Sequence, residues 1–202
     1  MTAELAPPPG LRISGTCEEA GDTIVLIAPD EPDFWAIFTD SSEYGDGLAD
    51  PMDRWSHRVI GAWADAIGAE ALFPSDPPYP PFVAWALRSG RTWSSPTGML
   101  IDARMGLFIS FRGALRLQAR LASAAPEPSP CIACSAPCLT ACPVDAFVRG
   151  GYDTDACHRF LDTRDGGICL SGGCLARRAC PISKGCGRLP EQSAWHMRQF
   201  HP

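Results

Sequence analysis

Cysteine is spread through this chain so unevenly that it limits what the chain can become. Of ten cysteines, nine lie between Cys131 and Cys186, and only Cys17 lies outside. The densest run is Cys131-Ile-Ala-Cys134-Ser-Ala-Pro-Cys138-Leu-Thr-Ala-Cys142-Pro143, a C-x2-C-x3-C-x3-C-P spacing. A second set follows at Cys157, Cys169, Cys174 and Cys180-Pro181, so the Cys-Pro step occurs twice. The segment 131–202 is poor in long apolar runs. A piece of this size struggles to fold on a hydrophobic core alone, and thiol-bound metal would take the core's place.

The rest of the chain has ordinary globular character. Apolar residues make up 46% and charged residues 20%, which argues against general disorder. The net charge of -6 gives no broad electrostatic reason to bind nucleic acid or an anionic membrane. Met1 to Gly10 holds Glu4 and three prolines and has neither a basic nor an apolar leader region. The longest apolar runs, such as Thr23 to Pro29, are too short to span a bilayer. The expectation is a cytoplasmic protein with reduced thiols, in which a cysteine cluster holds metal rather than disulfides.

Pattern and turn chemistry predict an α+β domain over 1–121. Residues 1–20 read as a tail or edge segment. Asp22 to Ala28 and Phe34 to Thr39 read as strands, separated by the Pro29-Asp30-Glu31-Pro32 turn. A helix follows, with Asp50 as N-cap, Pro51 at its first position, an apolar stripe at Trp55, Val59, Trp63 and Ile67, and Gly68 at its end. Ala69 to Phe73 is a short strand and Phe82 to Ser89 a short helix. Gly98 to Asp102 and Leu107 to Leu117 are two strands joined by the turn at Ala103-Arg104-Met105-Gly106. Residues 122–130 form a linker of small residues and prolines, and 131–202 form the cysteine-rich domain.

The first cysteine run differs by one residue, around Pro137, from the bacterial ferredoxin run C-x2-C-x2-C-x3-C-P, whose fourth cysteine ligates the other cluster of a pair. Closely spaced cysteines on a turn can wrap one iron–sulfur cube, and a distant cysteine completes the site. Two 4Fe–4S cubes need eight thiolates. Cys131, Cys134, Cys138 and Cys180 can serve the first, and Cys142, Cys157, Cys169 and Cys174 the second. Cys17 and Cys186 are then spare, although Cys186 is also placed to substitute for Cys169 or Cys174. Zinc is the rival reading, but the chain has one C-x2-C and no H-x3-5-H partner for it.

Cys131 to Pro143, the segment Tyr152-Asp-Thr-Asp-Ala-Cys157-His-Arg-Phe and the closing Cys-Pro together resemble the ferredoxin-like domain of epoxyqueuosine reductase, a corrinoid-dependent tRNA-modifying enzyme. Phe73-Pro-Ser-Asp76-Pro, Gly90-Arg-Thr-Trp93 and Gly98-Met-Leu-Ile-Asp102 resemble the segments that precede that domain. Ile101 to Gly113 also looks like a strand pair of the cobalamin-processing chaperones. The resemblance implies a small nitroreductase-like α/β layer followed by a bacterial-type two-cluster ferredoxin-like domain. It also implies a possible corrinoid near Trp93, Asp102 and Arg104, and Asp76 as the nearest match to the family's catalytic proton donor. The acidic balance lacks a tRNA-binding surface, so epoxyqueuosine reduction itself is not expected. The expected function is electron transfer through two 4Fe–4S clusters to a redox partner protein or bound cofactor, with no nucleic acid or membrane involved. The alternatives are a small corrinoid-dependent (or flavin-binding) reductase or cobalamin-processing protein, and a zinc-stabilised interaction module. His57 reads as a solvated helix residue, His158 as surface or ligand-supporting, and His196 and His201 as tail residues. Arg177, Arg178 and Lys184 read as a small basic patch near Cys180.

Overall fold

The computed structural model of the protein describes residues 5–121, 125–148 and 151–202. It is a mixed α+β structure, 35% helix and 18% strand, as the fold class expected from the sequence requires. In chain order its elements are β1 (Leu11–Glu19), β2 (Asp22–Pro29), α1 (Asp33–Thr39), α2 (Ser42–Gly45), α3 (Pro51–Ile67), β3 (Glu70–Leu72), α4 (Phe82–Arg88), β4 (Thr92–Ser94), β5 (Leu100–Asp102), β6 (Gly113–Leu117), β7 (Phe147–Val148), β8 (Gly151–Tyr152), α5 (Thr154–Leu161), α6 (Gly167–Gly172), α7 (Leu175–Ala179) and α8 (Pro190–Phe200), with a short 3-10 turn at Ser183–Gly185. The chain divides into two units. The first runs up to Arg91 and includes Ser110–Glu127; the second comprises Thr92–Ile109 and Pro128–Pro202. The sequence-expected boundary at 122–130 does not follow this division, because Thr92–Ile109 groups with the cysteine-rich part. Within that expected linker, 122–124 lie outside the described residues.

The first unit is built on an antiparallel sheet ordered β1-β2-β6-β3. Ile24, Val25, Leu26, Ile27 and Ala28 of β2 are all fully buried. Successive strand residues point to opposite faces, so both faces of this central strand are covered. Of the tail or edge segment expected over residues 1–20, Leu11–Glu19 forms an edge strand: β1 pairs with β2 along its length, with Thr16 opposite Val25 and a register shift between Ile13 and Gly15. The shift falls where a Cβ on Gly15 would lie 2.8 Å from the Ser89 side chain, so the backbone there runs close to its neighbour.

Phe34 to Thr39 is a helix, not the strand its apolar run suggested. Its buried residues are Phe34, Trp35 and Phe38, an i, i+1, i+4 set that makes one helical face. They stack with Tyr44 and Trp55 in an aromatic cluster, Phe34 meeting Trp55 edge-on at 5.5 Å and Phe38 meeting Tyr44 at 5.3 Å. Helix α3 begins at Pro51 and ends at Gly68 with φ +68, as the sequence predicts, but its buried face is Met52, Trp55, Ser56, Ile60 and Ala64. The every-fourth stripe fails because four residues turn a helix by about 400°, so the stripe drifts about 40° per step and Ile67 ends up exposed. Asp50 occupies the N-cap position in a left-handed conformation and makes no side-chain cap. His57 is only partly solvated: it stacks on Phe73 at 3.7 Å, and its Nε2 lies 3.1 Å from Asp76 Oδ1.

In the second unit β4 pairs with β5, and a tight turn links Asp102 to Gly106 through reciprocal backbone hydrogen bonds of 3.1 and 2.9 Å. The strand expected over Leu107 to Leu117 is split: only Gly113–Leu117 is strand, and it belongs to the first unit. Leu107 turns instead into a buried cluster with Ile101, Cys138 and Cys180. Gly106 has φ +58, and a Cβ there would lie 2.5 Å from the Ser183 backbone nitrogen, so no other residue fits without displacing backbone. Helix α5 starts at Asp153, whose carboxylate accepts a hydrogen bond from Ala156 N–H at 2.8 Å. The chain's end is held by ring contacts. Phe200 stacks on His158 at 4.6 Å, His158 and His201 share a 2.7 Å hydrogen bond between their Nδ1 atoms, and His201 Nε2 reaches Asp162 at 3.1 Å. No described helix is long and apolar enough to cross a membrane.

Candidate metal centres

All ten cysteines carry free thiols. In the first run, turns bring the residues round in quick succession: Cys134 N–H donates to Cys131 O at 3.2 Å, and Leu139 N–H donates to Ala136 O at 3.0 Å, with Ala136 at φ +52. Cys131, Cys134, Cys138 and Cys180 all line one cavity of about 310 Å³, whose other walls are largely prolines and aliphatic side chains such as Ile101, Leu107 and Ile182. Cys138 and Cys180 are buried. Burial pushes the Cys138 thiol up, and the neighbouring charges of Cys180, Cys131 and Cys134 push it further. The Cys131 thiol is raised by burial first, against a hydrogen bond with Ser129, and is raised again by Cys134 and Cys180.

The second set forms a separate group. Burial raises the Cys169 thiol, and Cys174, Cys157 and Cys142 raise it further, while a hydrogen bond from Leu175 N–H works in the opposite direction. The Cys157 thiol is raised by burial and by Cys174 and Cys142, and lowered by a hydrogen bond with the Tyr152 hydroxyl. Cys142 Sγ accepts from Ala146 N–H at 3.4 Å. The cysteines acting on Cys131 and Cys138 thus belong to the first quartet, and those acting on Cys157 and Cys169 to the second. Helix α7 separates the sets, with Cys174 at its N-cap and Cys180 at its C-cap.

The donor set suits a pair of iron–sulfur cubes. Each quartet is all-thiol, is partly or wholly buried, and has N–H or O–H groups aimed at sulfur, which is how a protein stabilises cluster thiolates. Among the described residues, no three His, Cys, Asp or Glu side chains come together as a site for a single metal ion. Arg177 is half-buried beside the second quartet: its Nη1 donates to Leu107 O at 3.1 Å, and burial lowers its pKa while the charges of Cys174 and Tyr152 raise it. Sequence reasoning named Arg177 only as part of a basic patch and missed Tyr152 and Ser129 as partners of cysteines. The position of Tyr152, five residues before Cys157, was the available signal.

Trp93, Asp102 and Arg104 lie together in the second unit, on the paired strands β4 and β5 and the turn that follows them. Trp93 packs against the buried cluster that contains Cys138 and Cys180. Asp102 is buried and its Oδ1 accepts from both Arg104 N–H and Met105 N–H at 2.8 Å, which fixes the turn. The Arg104 side chain is exposed. Asp76 belongs to the first unit, half-exposed beside His57. Asp76 thus belongs to the first unit, and Trp93, Asp102 and Arg104 to the second. Cys17 is buried in β1, with Arg88 Nη2 4.0 Å from its sulfur. Cys186 is buried just beyond the 3-10 turn.

The chain is thus a mixed α+β structure whose second unit holds nine of the ten cysteines. Comparison with protein-family models, with curated proteins and with solved structures finds no match for it.

Proposed function

We propose that the chain is an iron–sulfur electron-transfer protein, holding one 4Fe–4S cluster on Cys131, Cys134, Cys138 and Cys180 and another on Cys142, Cys157, Cys169 and Cys174. The observation that carries the reading is the division of eight thiols into two quartets that exchange their Cys-Pro residues, the pattern of two-cluster ferredoxins. Such clusters, when bound, supply one-electron transfer. The chain's own residues bind them, aim hydrogen bonds at their thiolates and place them at the two ends of α7. The five residues of α7 lie between Cys174 and Cys180, a rise of roughly 9 Å along a helix from one cysteine to the other, which makes a short path between the sites. On this reading the second unit is ferredoxin-like, the first is a shortened nitroreductase-like layer, and the electrons pass to a redox partner in the cytoplasm.

The test is anaerobic purification followed by visible spectroscopy. A brown protein whose absorbance bleaches on reduction and returns on reoxidation supports the reading. A colourless protein that contains zinc overturns it in favour of a structural zinc module.

A further inference from the structure

A second cavity in the C-terminal unit lies apart from the thiols, and no cysteine lines it. Its volume is about 500 Å³, and its cationic lining is Arg178, Lys184 and Arg188. Among the described residues no carboxylate lines it, although the chain as a whole carries a net charge of -6. Arg188 is held in place: its Nε donates to Ser193 Oγ at 3.3 Å, and its guanidinium lies 5.4 Å from the centre of the Phe108 ring. Arg178 lies along Gly172, where a Cβ would come within 3.1 Å of its Nη1, so the missing side chain makes room for the guanidinium. Two buried hydroxyls complete the lining. Ser183 Oγ accepts from Leu107 N–H at 2.9 Å and Ser193 Oγ accepts from Arg188, which leaves each hydroxyl proton to be donated. Pro190, the first residue of α8, also lines the cavity and brings the positive end of that eleven-residue helix to it. Glu191, in the same turn, is exposed and is not part of the wall.

We infer that this cavity binds a small phosphate-bearing molecule. Two guanidinium groups, an ammonium, two hydroxyl donors and a helix N-terminus meet at a cavity with no carboxylate among its described lining residues, which suits a multiply charged oxyanion. The volume exceeds what inorganic phosphate fills and falls within the range of organic-ligand sites. Phe108 gives the organic part an apolar surface. The inference is independent of metal content and goes beyond electron transfer, because its ligand set contains no thiol.

The test is calorimetric titration of the full chain, purified anaerobically, with inorganic pyrophosphate at low salt, with citrate as the comparison anion. Saturable one-site binding of pyrophosphate is expected, tighter than citrate and weakening as salt is raised. Lys184→Gln and Arg178→Gln should each weaken it roughly tenfold. Arg198→Gln, outside the cavity, should leave it unchanged. Lys184 is exposed, so its variant tests the site without endangering the fold. Absence of saturable binding, citrate binding more tightly than pyrophosphate, or pyrophosphate affinity unchanged in the Arg178→Gln, Lys184→Gln double variant would each overturn the inference.

Discussion

Cys174 and Cys180 cap the two ends of the five-residue helix α7, and each belongs to a different thiol quartet. The same division occurs between Cys138 and Cys142 in the first run. The two sites are thus joined by covalent chain at two places. Cys174→Ser and Cys180→Ser should therefore damage different sites: each variant should lose about half of the iron while keeping the signal of the other cluster. Low-temperature magnetic resonance of the reduced variants checks this, with two distinct residual spectra expected.

Tyr152 donates its hydroxyl hydrogen bond to the Cys157 sulfur, and burial first, then that hydrogen bond and the charges of Cys157 and Cys174, hold its own pKa above the usual phenol value. Hydrogen bonds to cluster sulfurs raise the reduction potential by stabilising the more negative, reduced form. Tyr152→Phe should lower the potential of the second cluster and leave the first where it is. A redox titration that resolves the two clusters provides the measurement.

Gly106 combines a left-handed φ of +58 with backbone of Ser183 at 2.5 Å from where a Cβ would sit. Gly106→Ala should destabilise the second unit by about 2 kcal/mol or more, since both the strained backbone and the displaced neighbour count against it. Chemical denaturation followed by loss of the visible absorbance should show an earlier midpoint.

These elements also mark how far the sequence could be read. The two cysteine quartets remain a reading of the spacing and the doubled Cys-Pro, carried into the proposal. The ends of α3 were legible because Pro51 and Gly68 act locally. Phe34 to Thr39 was not, because a six-residue apolar run has no period of its own; the partners of Phe34 and Phe38, Trp55 and Tyr44, decide it. The split at Ile109 and Ser110 was equally hidden, since Leu107 is drawn to Cys138 and Cys180, far along the chain. Two of the cavity cations, Arg178 and Lys184, were visible in a basic patch, but Arg188 was not, and Phe108 comes from a distant segment.

Glu43 is buried in the first unit and bonded to Arg58, with Nη2 at 3.0 Å from Oε2. That hydrogen bond, opposed by burial and helped by Glu43's own backbone N–H and the Arg58 charge, holds its carboxyl down at about 2 from an ordinary 4.5. A depressed folded pKa adds stability above the unfolded value, and that stability is lost as the carboxyl protonates. Acid should therefore weaken the first unit progressively from about pH 4.5 towards about pH 2. Glu43→Gln should flatten this part of the profile and cost about 1 kcal/mol at neutral pH, a modest figure because the Arg58 side chain is 56% exposed. Urea midpoints across that pH range give the comparison.

The most direct measurement is iron and acid-labile sulfide per chain in protein purified without oxygen. Two cubes on eight thiolates require about eight of each. A chain that holds zinc in their place, or whose cysteines are joined as disulfides in that preparation, contradicts the account.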